Sequence, residues 1–397
     1  MSPYIAILTI IYVLTKRRYV DFLTLAVFSS AFYCMPIFFG YVWYRDGIVG
    51  AINPITVQMH AVYSMIFASL LISCIVNDYL VRPVHGKAKP IVYNEFRMFG
   101  VIALLFWAVF AFVHAQDILF ARKENFGSLY SLAFTSLTVA LVMSVVARAY
   151  MWSVVFILLA TIDMYAGNRE VIAFTALSLF ILGTSSLGRV RLLNYYKYIL
   201  GMGAIVALLM VYKMIGAVIV LQRWDLVTER LLDLKFYTLA VARSEPFVTQ
   251  SLLYYAIENR WVFTQSLTLN IAIILLPFGS LFQDSLISVS SQVNQHMSYL
   301  DYGVASNIWA EAYMLGGFPG VFVFSLFYAT LPVLINILFG RWRSLSVRCL
   351  IALTGVTFLF FIHRTGIEYS INIFKRFFMY TIMMSVLFYI LSSFSRK

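Results

Sequence analysis

Apolar residues fill the chain in blocks of about twenty, separated by short stretches where charge, glycine and polar residues collect. A block of that length, wound into a helix, matches the hydrocarbon thickness of a bilayer, so each is expected to be a membrane span. The pattern predicts eleven spans, over 1–15, 22–44, 56–76, 98–116, 128–147, 149–166, 171–187, 198–220, 308–339, 347–363 and 377–394. A twelfth apolar stretch, SLTLNIAIILLPFGSLF at 266–282, is short and is interrupted by Pro277 and Gly279. It is expected to be a re-entrant or interfacial segment. The organisation is therefore eight spans over 1–220, one large loop over 221–307, and three spans over 308–397. Within the loop, Val227, Leu231, Leu234 and Val241 mark one face of an amphipathic helix over 223–242, and a second helix is predicted over 247–260. The tract 284–307 that follows is rich in Ser, Gln and Asn. No internal repeat of the inverted-transporter kind is visible.

Composition agrees with the pattern. The 397 residues are 62% hydrophobic and only 12% charged, which excludes a soluble globular protein. The fold class is all-α and polytopic. The first apolar run is followed, not preceded, by Lys16, Arg17 and Arg18, so it is expected to be a retained span rather than a cleaved signal peptide. Cys34, Cys74 and Cys349 lie inside apolar runs at no metal or disulfide spacing. The formal charge of +12 does not indicate nucleic acid, because no basic stripe is laid out on a soluble face.

Topology accounts for that charge. Lys16, Arg17, Arg18, Arg82, Lys87, Lys89, Arg97, Arg148, Arg189, Arg191, Lys197, Arg341, Arg343, Arg348, Arg396 and Lys397 fall in alternate loops on one side, where Asp21, Asp78 and Glu95 are the acids. The positive-inside rule makes that side cytoplasmic, with the N-terminus outside and the C-terminus inside.

The opposite side carries the candidate chemistry. Arg169, in the turn GNRE, Arg223, Arg230, Arg243 and Arg260 of the large loop, and Arg364 and Arg376 around HRTGIEYSINIFKR all face outward. Outer loops have little topological need for arginine. The guanidinium fork grips phosphate bidentately, so a lipid-linked phosphate or pyrophosphate is the expected ligand of Arg169, Arg230, Arg243, Arg260, Arg364 and Arg376. The same arginines can instead pair with Glu229, Asp233, Glu245, Glu258 or Glu368. Glu311, one turn into the ninth span, and Asp301 are candidate bases for a sugar hydroxyl, with His363 a third. Glu311 can equally be an acid favoured by a helix N-terminus. Tyr254, Tyr255 and Tyr299 are candidate sugar-stacking side chains, with Asn307 beside them as a sugar contact. No His/Asp cluster offers a metal site, and no cofactor is expected.

The GNRE turn, the large arginine-bearing loop, the stretch RKENFGSLYSLAF at 122–134 and SNIWAEAYMLGGFPG at 306–320 resemble the O-antigen polymerases, the Wzy-type oligosaccharide repeat-unit polymerases of Gram-negative bacteria. The resemblance implies an inner-membrane glycosyltransferase with a GT-C-like helical fold and its active site facing the periplasm. Undecaprenyl-pyrophosphate-linked oligosaccharides would be donor and acceptor, without a nucleotide sugar, and a chain-length regulator would be a partner. The related O-antigen ligases carry a His-Asn pair where Ser306 and Asn307 stand here. A ligase, or a flippase of the lipid-linked unit, is the alternative. A flippase needs a charged path, and only His60 and Lys213 lie deeper in the apolar blocks.

The topology is directly testable. With the native cysteines replaced by alanine, Arg260→Cys is expected to react with a membrane-impermeant maleimide in intact spheroplasts, and Arg191→Cys only after permeabilisation. Labelling of both from one face would mean that the span count is wrong by one.

Overall fold

The computed structural model describes residues 2–46, 49–80, 93–119, 128–165, 168–185, 187–197, 223–233, 244–262 and 307–394, together with single positions in 199–218 and at 236–237. The eighth predicted span, the apolar segment 266–282 and the polar tract 284–306 lie largely or wholly outside these residues. The protein is a mostly helical, multi-span membrane protein: among the described residues, Val57–Tyr79, Phe96–Val113, Leu129–Val146, Ile308–Arg341 and Leu345–Ile367 are each long and apolar enough to cross a membrane. Shorter apolar helices occupy Ser2–Thr15, Phe22–Tyr33, Tyr150–Tyr165 and Glu170–Thr184.

In chain order the elements are α1 Ser2–Thr15, α2 Phe22–Tyr33, α3 Pro36–Phe39, β1 Tyr41–Asp46, β2 Val49–Pro54, α4 Val57–Leu80, α5 Tyr93–Val113, α6 Ala115–Leu119, α7 Ser128–Val146, α8 Tyr150–Tyr165 and α9 Glu170–Thr184. Then follow α10 Trp224–Leu232, α11 Glu245–Glu258, α12 Ile308–Arg341, α13 Leu345–Val356, a π-helical turn Thr357–Phe361, and α14 Ile362–Phe394. They form two compact units. The first comprises Met1–Arg82, Gly188–Leu334 and Phe358–Asn372, and the second Pro83–Leu187, Ile335–Thr357 and Ile373–Lys397.

In the first unit α1 packs along α4, and α2 joins both. A buried arginine ties these three helices together. Arg18 donates from Nε to both carboxylate oxygens of Asp78, at 3.2 and 3.1 Å, and from Nη1 to Thr24 at 3.0 Å, with Asp21 at 3.5 Å. Asp21 also accepts from the Thr24 amide at 3.0 Å and so caps the start of α2. Burial opposes the Arg18 charge, and Asp21 and Asp78 more than offset it, holding the guanidinium above its ordinary pKa.

The predicted span 22–44 is corrected by the structure. Helix α2 stops at Tyr33, because Pro36 cannot donate to a preceding turn, and Gly40 then turns the chain at φ 79°. The alternating Tyr41-Val42-Trp43-Tyr44 that follows pairs antiparallel with Val49–Pro54, so the described residues are not purely α-helical. Helix α11 lies against this hairpin, with Phe247 stacked on Tyr41 at 5.0 Å. Of the two loop helices, α10 is shorter than predicted, ending at Leu232, and α11 has the predicted length but lies two residues earlier, at Glu245–Glu258.

Two further corrections concern the last spans. Helix α12 is broken at Gly316 and Gly317, the latter at φ 59°, ψ −146°. The expected outer loop 364–376 is instead helical, as part of α14, with one break at Gly366, φ 71° and ψ −173°. Only glycine adopts these two positive-φ conformations without strain.

In the second unit α7 is the central helix, packed by α5, α8, α9 and α13. Phe134, Phe174 and Phe377 meet at centroid distances of 5.9 to 6.4 Å and close its aromatic core.

Removing one partner of the Arg18 cluster leaves a buried charge uncompensated. Asp78→Ala is expected to cost about 3–5 kcal/mol, whereas Arg18→Met combined with Asp78→Leu costs much less. Thermal unfolding of the purified protein in detergent, comparing single and double variants, checks this.

Candidate functional site

The first unit gathers the motif residues into one polar cluster within apolar helices. Asn307 opens α12. Its Oδ1 accepts from the Trp309 amide at 2.8 Å, and its Nδ2 donates to the Thr249 carbonyl of α11 at 3.1 Å. Asn307 is fully buried, and its side chain anchors α12 to α11. One turn on, buried Glu311 accepts through Oε2 from the Ile367 amide at 2.7 Å. That amide is the first after the Gly366 break, so the carboxylate caps the second half of α14, where an anion is favoured by the aligned peptide dipoles.

His363 lies one turn before that break and is fully buried. The Trp309 indole N–H donates to its Nδ1 at 3.0 Å. Indole is a donor only, so Nδ1 is the acceptor and a neutral ring carries its proton on Nε2. Nε2 then donates to the Tyr328 hydroxyl at 2.9 Å, which donates onward to the Leu359 carbonyl at 2.8 Å. Ser30 lies 3.4 Å from the same nitrogen, and Tyr33 stacks on the ring at 5.4 Å. Both nitrogens are thus engaged. His363 is a packed hydrogen-bonding link between α2, α12 and α14, which separates it from the carboxylates considered as bases.

Beside this link the cluster opens. Arg364 Nε meets Glu245 Oε1 at 2.7 Å, with side-chain exposures of 30% and 21%, so the pair is reachable from outside the helices. Tyr33 donates to the same carboxylate oxygen at 3.4 Å. Glu245 sits in the first turn of α11, whose N-terminus favours its charge. On the same helix Gln250 is fully buried and accepts from Tyr63 at 3.2 Å, while its amide nitrogen has no protein partner among the described residues. A buried amide in that position calls for water or a ligand hydroxyl.

The other predicted residues are distributed as follows. Arg260 ends α11 at φ 52°, with the Trp261 amide returning to the Ala256 carbonyl at 3.0 Å; arginine here holds a left-handed position usually given to glycine. Arg260 is exposed. Arg230 stands in the last turn of α10, where the helix dipole favours a cation. Tyr254 and Tyr255 are half-buried and edge-to-face at 5.4 Å, and burial, then Glu258, raises the Tyr254 hydroxyl above its ordinary pKa. Arg169 and Arg376 belong to the second unit. Arg169 is the N-cap residue of α9 in a turn held by Asn168, whose Nδ2 donates to the buried Asp163 at 3.1 Å, with Tyr130 donating to the other Asp163 oxygen at 3.4 Å. Arg376 is exposed on α14. Arg243, Tyr299 and Asp301 lie outside the described residues.

Sequence reasoning missed Tyr33, Tyr328, Ser30 and Gln250. Nothing in their local pattern distinguishes them from ordinary residues of apolar helices; they matter because of what the fold brings beside them. Among the described residues no group of three or more His, Cys, Asp or Glu could hold a metal ion. No protein-family model, curated protein or solved structure matches the chain.

The Glu311 cap carries a graded expectation. Glu311→Ala is expected to destabilise the protein by about 1.5–3 kcal/mol, the range for a hydrogen bond to a charged group, and Glu311→Gln by clearly less, since its carbonyl still accepts from Ile367. Melting temperatures of the two variants in detergent decide whether the acceptor or the charge matters.

Proposed function

We propose that this protein is a membrane glycosyltransferase that polymerises oligosaccharide repeat units carried on a polyprenyl pyrophosphate, working at the outer face of the bacterial inner membrane. The observation that carries the reading is the half-exposed Arg364–Glu245 pair, set at the edge of a buried polar cluster between a broken α12 and a broken α14. Ionisable groups and irregular backbone are costly at membrane depth and are kept where they line a cavity or serve a ligand.

In this reading the acceptor sugar hydroxyl attacks the donor's anomeric carbon. The bond from that carbon to the pyrophosphate oxygen breaks, and the polyprenyl pyrophosphate leaves with the electron pair. Within the first unit Arg364, with Arg230, Arg243 and Arg260, binds pyrophosphate and stabilises the charge that develops on it. Arg169 and Arg376, of the second unit, are separate candidate contacts to a lipid-linked phosphate. Glu245 orients the Arg364 fork by holding its Nε. Glu311, oriented by the Ile367 amide, or failing it Asp301, accepts the proton of the attacking hydroxyl. Tyr254, Tyr255 and Tyr299 offer ring faces to the sugars. The Ser306–Asn307 pair supports polymerase over ligase, because Asn307 is committed to Trp309 and Thr249 and no histidine precedes it.

The oligosaccharide ladder of a deletion strain complemented with Arg364→Ala or Arg169→Ala tests this. Loss of long chains with a single repeat still transferred is the expected result, with repeat addition slowed about 10²–10³-fold for a preorganised charge. Loss of every repeat would indicate a ligase, and lipid-linked repeats stranded in the cytoplasmic leaflet a flippase. An unchanged ladder in both variants, at normal protein level, would sink the pyrophosphate assignment.

A further inference from the structure

A second arginine cluster stands apart from the site above, at the end of α1. A cavity of about 580 Å³ there is lined by Arg17, Arg189, Val190, Arg191, Asn194 and Tyr195. Its construction follows from two short extended segments. Arg18 and Val190 exchange both backbone hydrogen bonds, at 3.0 and 2.9 Å. Successive side chains of extended chain point to opposite sides. Arg18 therefore turns inward to Asp78 and Thr24, while Arg17, Arg189 and Arg191 turn to the other side and stay exposed.

Two of these guanidiniums, those of Arg17 and Arg189, are held rather than loose. Arg17 Nε donates to the Arg189 carbonyl at 3.0 Å, Arg189 Nη2 donates to the Asp78 carbonyl at 3.4 Å, and the Arg189 guanidinium lies 5.5 Å above the Tyr19 ring. Among the described residues no carboxylate lines the cavity. Asp78, whose backbone carbonyl accepts from Arg189, has both carboxylate oxygens engaged by Arg18. Three like charges around one cavity repel one another until an anion enters, and the guanidinium fork matches the tetrahedral oxygens of phosphate.

The surroundings choose the kind of phosphate. α1 exposes Tyr4, Ile7, Leu8 and Ile11 at helical spacing, a face suited to acyl chains. Tyr195 lines the cavity, and Leu193 and Tyr196 close to it in the chain are exposed, with tyrosine a residue type of a headgroup-level belt. We propose that this cavity binds the phosphodiester headgroup of an anionic glycerophospholipid, with the acyl chains along α1. The site is independent of the glycosyl-transfer reading and would anchor the α1–α2–α4 end of the first unit in the bilayer.

The test uses full-length protein purified in dodecyl maltoside, stripped of lipid and titrated with phosphatidylglycerol, phosphatidylcholine or inorganic phosphate under native mass spectrometry. Wild-type protein is expected to retain phosphatidylglycerol selectively. The triple variant Arg17→Gln/Arg189→Gln/Arg191→Gln is expected to bind it about 100-fold more weakly, at roughly five-fold for each lost headgroup charge, with an unchanged circular dichroism spectrum. Equal retention of phosphatidylcholine by the wild type overturns the proposal without reference to any variant. Undiminished retention by the triple variant overturns it as well, and displacement of phosphatidylglycerol by an equal concentration of inorganic phosphate overturns the lipid assignment.

Discussion

A backbone amide inside an apolar bundle must find an acceptor, and the fold around the candidate site is arranged to meet that demand at Ile367. Gly366 breaks α14 and releases the amide, and Glu311 from α12 takes it. Because one carboxylate joins the two helices there, the neighbouring residues fall into register. His363, one turn earlier, reaches Trp309 and Tyr328, and Arg364 turns to Glu245. The break is thus both a liability of the chain and the means by which polar side chains from α2, α11, α12 and α14 are assembled in one place.

The arginines show how one residue type serves several ends according to what the backbone does locally. Arg18 is buried among Asp78, Asp21 and Thr24 and acts as a cross-link of helices. Its neighbour Arg17, on the opposite side of the same extended segment, faces a cavity instead. Arg348 satisfies the Trp342 carbonyl at 2.7 Å near the end of α12. Arg364 is half in and half out, paired with a carboxylate yet reachable. Charge count alone separates none of these; the pleat of two residues or the end of a helix does.

Much of this architecture was legible in the sequence. The apolar blocks located α1, α4, α5, α7, α8 and α9 closely, because hydrophobic burial is set by local runs of side chains. The spacing of Val227 and Leu231 announced α10, and the Glu245–Glu258 helix was foreseen with its start displaced by two residues. The hairpin 41–54 was missed because aromatic and β-branched residues serve a membrane helix and a strand equally well, and only Pro36 and Gly40 hinted at the difference. The helical course of 364–376 was hidden by its charges, which read as a loop although the backbone remains helical either side of Gly366.

The sequence by itself determined a multi-span helical chain, the sidedness expected of its charges, and the residue types able to meet phosphate and sugar, since these depend on composition and on neighbours a few positions apart. Only the tertiary structure decided what each of those residues does. It placed Glu311 on a backbone amide, fixed both nitrogens of His363, enclosed Asn307 and joined Arg364 to Glu245. These partners are separated by dozens of residues or more, and their pairing follows from which helices break and where they then meet, information that no local pattern carries.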